Sequence, residues 1–177
     1  MIEYERKFAI SEREAFKFIE LDSSGEGITP YIAQDDLFPF GVFKNGLMFR
    51  IRLEVDYPNF KSNKGIVTMK WWDNQKRRVE HELNIGADLA YFLLETVFSK
   101  SRLQMSKARI VVEPGVFLDY VRELGWFIEM EEVVPPSSVA TLEQREEIDR
   151  EFKSRFKRLI GKDGEFDDFS YSGRLFT

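Results

Sequence analysis

The sequence has 177 residues, 43% of them apolar, with 17 Phe, no Cys and a net charge of −5. That length suits a single domain with a sizeable core, and the lack of cysteine excludes disulfides, thiolate metal ligands and a cysteine nucleophile while fitting a reducing, cytoplasmic setting. The acidic balance argues against a nucleic-acid partner, and no stretch approaches the roughly 18 consecutive apolar residues of a membrane span, so any anion site must be a local concentration of cations.

In chain order, IEYERKF (2–8) opens as a strand, too charged for a secretory signal. Ser11 with Glu14 forms a capping box that starts a short helix through Phe16, Phe18 and Ile19 to Leu21, ended by SSGEG. ITPYIAQ (28–34) is the next strand, and Asn45-Gly46 marks a turn before the alternating run LMFRIRLEV. GIVTMKWW and RRVEHELNI form a hairpin around Asp73-Asn74, and ADLAYFLLETVFS predicts a second, largely buried helix. ARIVVEPGVFLDYV supplies two strand pieces and GWFIEMEEV another, leading into Pro135-Pro136. A long amphipathic helix closes the series, opened by Thr141 with Gln144 and carrying Ile148, Phe152, Phe156 and Leu159 on one stripe. Many antiparallel strands with about three helices predict an α+β single domain spanning residues 1–177, built on a closed or nearly closed β-barrel.

Strand alternation then sorts the charges. Residues two apart share a face, so Glu3, Glu5 and Lys7 point one way. Arg50 and Arg52 share a face away from Phe49, Ile51 and Leu53, and Lys70 stands with Thr68 away from Val67, Met69 and Trp71. Arg78, Glu80 and Glu82 lie together opposite His81, Lys107 and Arg109 lie together, and Glu129 pairs with Glu131. The bland reading is an outer face of cross-strand ion pairs. The alternative turns all six charged faces inward to line one polar tunnel, where buried charges must pair with each other or with a ligand. The cations Lys7, Arg50, Arg52, Lys70, Arg78, Lys107 and Arg109 suit a polyanion with several phosphates. The acids Glu3, Glu5, Glu80, Glu82, Asp119, Glu129 and Glu131 would repel it, unless some hold Mg²⁺ or Mn²⁺, hard cations that take oxygen ligands. The implied ligand is a metal-bound triphosphate.

The order of these motifs resembles that of the CYTH superfamily, the triphosphate tunnel metalloenzymes. Glu3-x-Glu5-x-Lys7 is similar to its ExExK signature; Arg50-x-Arg52, Thr68-x-Lys70, Arg78-x-Glu80-x-Glu82, Lys107-x-Arg109, Asp119 in FLDYV, LGWFIEMEE and a terminal SYSGRLF follow as in the family. The resemblance implies an eight-stranded antiparallel tunnel in which Glu3, Glu5, Glu129 and Glu131 hold Mg²⁺ or Mn²⁺. It implies a phosphate clamp of Lys7, Arg50, Arg52, Lys70 and Arg109, an additional acid at Asp119, and orienting carboxylates at Glu80 and Glu82. Lys70 is followed by Trp71-Trp72 where many members have Gly-Pro, QDDLF only loosely resembles the usual aromatic strand, and Lys162 is a candidate for a late lysine that some members use.

For the reaction, metal-dependent triphosphate hydrolysis needs positioned phosphates, charge neutralisation and a water in line with a terminal phosphorus. Lys7, Glu80, Glu82 and Asp119 are the candidate catalytic residues. A class IV adenylate cyclase would need the same clamp plus an adenine pocket and a positioned ribose, which no motif announces; Trp71 or Trp72 could stack on an organic head group. A non-catalytic polyphosphate or nucleotide sensor is the third reading, and a homodimer is compatible with all of them. His81, by alternation, points away from the tunnel.

Overall fold

The computed structural model describes residues 2–21, 30–39, 47–57, 63–72, 78–98, 103–134 and 142–167, without the side chains of Ile2, Glu3, Glu20, Leu21, Asn63, Trp72, Arg78, Val79, Val134 and Leu142. The turns predicted at Asn45-Gly46 and Asp73-Asn74, SSGEG, Pro135-Pro136, Thr141 as a cap and SYSGRLF lie outside the described residues. Along the chain come β1 (Ile2–Ile10), α1 (Glu12–Leu21), β2 (Tyr31–Leu37), β3 (Leu47–Tyr57), β4 (Asn63–Trp72), β5 (Arg78–Asn84), α2 (Ala87–Phe92) with a π-helical turn Leu93–Val97, β6 (Gln104–Glu113), β7 (Val116–Val121), β8 (Gly125–Val134) and α3 (Leu142–Ile160). No helix among them is long and apolar enough to cross a membrane.

The eight strands form one sheet in the order β1-β8-β7-β6-β2-β3-β4-β5. The α+β class and the strand count match the prediction, whereas closure does not. Strands β1 and β5 end the order, each with one neighbour, β8 for β1 and β4 for β5. Both end strands carry charges at alternate positions, the usual means of keeping a free edge from pairing.

The residues group into two compact units. The first comprises Met1–Thr29, Ile110–Tyr120 and Gly125–Phe169. The capping box forms as predicted: the Ser11 backbone N–H donates to Glu14 Oε2 at 2.8 Å, and the Glu14 N–H to Ser11 Oγ at 3.3 Å. The apolar side of β1 and β8 joins β7, α1 and α3 in a core of Phe8, Ala15, Val116, Leu118, Ile128, Met130, Phe152, Phe156 and Ile160. Phe8 stacks on Phe156 with ring centroids 4.2 Å apart, so the stripe read on α3 packs against the face of β1 opposite Lys7. On that same side Arg6 Nε and the Tyr4 hydroxyl both donate to Asp149 Oδ1 of α3 at 2.9 Å. The Asp167 N–H donates to the carbonyl of Lys7 at 2.7 Å.

The second unit comprises Pro30–Arg109, Val121–Leu124 and Ser170–Thr177. It contains the β2–β3, β3–β4, β4–β5 and β2–β6 ladders, all antiparallel. Helix α2 is not the largely buried element expected from its composition. Only Ala90 is buried, while Leu89, Tyr91 and Phe92 are exposed. The reason is how closely it approaches β4: a Cβ placed on Gly65 would stand 2.5 Å from Ala90 Cβ and 2.0 Å from the Gly86 carbonyl oxygen. Two small residues set that spacing, and the larger apolar side chains flank the contact without entering it.

Candidate metal and phosphate sites

The site residues follow from strand register. In the first unit, antiparallel pairing of β1 with β8 sets Glu5 opposite Glu131 and Lys7 opposite Glu129. Phe8, Ile128 and Met130 fill the core on the other side, so all four charged groups share the remaining face. One carboxylate oxygen each of Glu5, Glu129 and Glu131 lies within 4.8 Å of the others. Like charges directly opposite on a ladder repel. Lys7, 7% exposed, offsets part of this: its Nζ is 3.0 Å from Glu5 Oε1 and 3.3 Å from Glu129 Oε2. Burial would lower the Lys7 pKa, but Glu129 and then Glu5 more than offset that, leaving it raised. An all-carboxylate, partly buried donor set fits a hard divalent cation such as Mg²⁺ or Mn²⁺.

The backbone of Glu3 pairs with Val133 on the same ladder, placing it two residues from Glu5 on the same face, while its side chain lies outside the described residues. Asp119 on β7 is fully buried, on the face opposite the core residues Val116 and Leu118.

In the second unit the ladders align a row of charged side chains across five strands. Arg50 pairs with Thr68 and Thr68 with Glu82, and Lys70 pairs with Glu80. Arg50 Nη2 donates to Thr68 Oγ1 at 2.9 Å and to Glu82 Oε1 at 3.2 Å, and Lys70 Nζ is 2.6 Å from Glu80 Oε2. These contacts give Glu80 a cationic partner on β4 and Glu82 one on β3, reached past Thr68. Lys107, 6% exposed, pairs across the β2–β6 ladder with Gln34, and Arg109 with Ile32. Arg78 pairs with Trp72 through the backbone, its side chain lying outside the described residues.

Two residues absent from the predicted set, Asp36 and Gln34, complete this row. Asp36 is 2% exposed and grips Arg52 through two hydrogen bonds, Nε to Oδ1 at 2.5 Å and Nη2 to Oδ2 at 2.8 Å. Burial alone would raise its pKa; the guanidiniums of Arg52 and Arg50 prevail and hold it at about 2. Gln34 Nε2 donates to Glu54 Oε1 at 2.6 Å. Among the described residues, two buried side-chain polar atoms find no hydrogen-bond partner: Arg50 Nε, a donor, and Gln34 Oε1, an acceptor. A buried N–H without a hydrogen bond costs about 1–3 kcal/mol, which makes Arg50 Nε a candidate donor to an oxygen ligand. The signal for Asp36 was the alternation Gln34-x-Asp36, hidden because the predicted strand ended at Gln34 whereas β2 runs to Leu37.

His81 is exposed and stacks on Trp71 at 5.2 Å, on the face away from Glu80 and Lys70 as alternation predicts. Lys162 is 60% exposed at its side chain and bonds Glu14 Oε1 at 2.7 Å, an attachment to α1.

No protein-family model and no curated protein matches the sequence. Solved structures do. The chain is similar to the PH1819 protein of Pyrococcus horikoshii, 26% identical over 98% of this chain and 97% of that one, with a TM-score of 0.65. It is similar to a candidate adenylate cyclase of Bacillus halodurans, 20% identical over 99% and 98%, TM-score 0.63. It is also similar to HpAC1 from Hippeastrum, a candidate adenylyl cyclase with a dominant triphosphatase activity, 14% identical over 96% and 91%, TM-score 0.54. These two more distant likenesses are likenesses of fold.

Proposed function

We propose that the chain is a metal-dependent triphosphatase of the CYTH type. The observation that carries this reading is the carboxylate set Glu5, Glu129 and Glu131 with Lys7 beside it, where Glu5 and Glu131 oppose each other on one ladder. Supporting it are the cations of the second unit, the unpartnered Arg50 Nε, and a fold shared with a protein described by its dominant triphosphatase activity.

In this reading Glu5, Glu129 and Glu131, with Glu3, would hold Mg²⁺ or Mn²⁺, which would neutralise phosphate charge in the transition state. Lys7 holds the carboxylates together and donates to a phosphate oxygen. Arg50, Arg52, Lys70, Lys107 and Arg109, with Arg78, bind phosphate oxygens through charge-assisted hydrogen bonds. Glu80 and Glu82 orient Lys70 and Arg50. Asp119 is an additional acid that would accept from the attacking water.

The candidate adenylate cyclase among the similar structures favours a second reading, cyclisation of ATP. Phosphorus NMR of the purified protein with Mg²⁺ or Mn²⁺ separates them, using tripolyphosphate, thiamine triphosphate and ATP in parallel. Orthophosphate from any tube supports hydrolysis, and pyrophosphate with a cyclic nucleotide from ATP supports the cyclase. No turnover in any tube, with tripolyphosphate binding intact, rejects both in favour of a sensor.

A further inference from the structure

A guanidinium offers five N–H donors in a rigid fork, with a side edge made by Nε and Nη2 and an end edge made by Nη1 and Nη2. In Arg52 the side edge is taken entirely by Asp36, at 2.5 and 2.8 Å. Among the described residues its Nη1 reaches only Glu54, at 3.6 Å, beyond a strong hydrogen bond. The second carboxylate oxygen of Asp36 also draws Arg50, whose Nη1 lies 3.7 Å away, while Arg50 Nη2 is held from the opposite side by Thr68 and Glu82. One fully buried carboxylate therefore stands behind two arginines on the adjacent strand.

We propose that Asp36 is a positioning residue for the phosphate clamp: by occupying the side edge of Arg52 and drawing Nη1 of Arg50, it leaves Arg52 its end edge and Arg50 its unpartnered Nε for phosphate oxygens. The inference rests on the reading of Arg50 and Arg52 as phosphate ligands. Asp36 touches no substrate; it acts through the two guanidiniums. Without it Arg52 loses its bidentate anchor and the charge that balances two adjacent cations, so both forks are free to rotate and to pair elsewhere.

The test is calorimetric binding of tripolyphosphate to the full chain without added metal, which isolates the clamp from the carboxylate set. Asp36→Asn keeps the shape and removes the charge, and is expected to weaken binding about tenfold or more, the size of one charge-assisted hydrogen bond. On an Arg52→Lys background, where no side edge remains to be held and only the longer contact with Arg50 is left, the same change is expected to cost clearly less than in the wild type, about threefold or under. A general structural loss would carry over undiminished into that background, so equal losses in both overturn the proposal. Should Asp36→Asn not fold, Arg52→Gln is compared with Asp36→Asn/Arg52→Gln, which leaves no unpaired carboxylate: affinities equal within about twofold are expected, and a further tenfold loss overturns it. Wild-type protein that takes up no tripolyphosphate overturns the clamp and this inference together. Wild-type binding that Asp36→Asn leaves unaltered overturns this inference alone.

Discussion

Glu5 faces Glu131 directly across the β1–β8 ladder, two residues from the cross-strand pair of Lys7 with Glu129. The first pairing is unfavourable without a cation and the second is favourable, so the same ladder carries repulsion and its partial relief.

Metal should therefore stabilise the fold. Addition of Mg²⁺ or Mn²⁺ is expected to raise the melting temperature, and Glu131→Gln is expected to abolish that rise while leaving the metal-free protein as stable as before or more so. Thermal unfolding of both proteins with and without metal checks the pair of effects; a metal-induced rise that survives in Glu131→Gln rejects the site.

Lys7 has the opposite sign. Glu129 is 4% exposed, so Lys7→Met takes a cation from beside a buried carboxylate and should cost about 1–3 kcal/mol of stability in metal-free urea unfolding. A loss below about 1 kcal/mol would mean that Glu129 finds another counter-charge.

Asp36 predicts a pH dependence. Its folded pKa, about 2, lies below its ordinary value of 3.8, so it contributes stability that is fully present above about pH 4 and is lost as pH falls towards 2. The loss across that range is on the order of 2 kcal/mol. Urea unfolding of the wild type from pH 6 to 2 should show this loss, and Asp36→Asn should lack that component of the slope.

Gly65 sets the seat of α2. Gly65→Ala brings a methyl into Ala90 and the Gly86 carbonyl and should destabilise by about 1–3 kcal/mol through overpacking. Ala90→Gly in the same protein should restore part of the loss, as unfolding of the single and double variants would show.

Much of this was legible in the sequence because β-alternation is a local signal. It placed Glu5 with Lys7, Arg50 with Arg52 and Glu129 with Glu131 on shared faces, and the reciprocal pattern of Ser11 and Glu14 marked the start of α1. Register is not local, since alternation says which face a residue takes and not which residue stands opposite. That Glu5 stands opposite Glu131, and Lys7 opposite Glu129, became visible only in the folded sheet. Asp36 was missed for a related reason: QDD reads as polar loop until β2 is known to continue to Leu37. The apolar run of α2 suggested burial, yet a Gly65–Ala90 contact needs no large side chain.

Strand β1 serves two masters on alternate residues, Phe8 for the core and Lys7 for the carboxylates. Deletion of a single residue between Tyr4 and Phe8 would exchange the two faces for part of the strand, sending a lysine towards the core and a phenylalanine among the glutamates. The spacing along β1 therefore binds the core and the carboxylate face together: a one-residue insertion or deletion within it disturbs both at once.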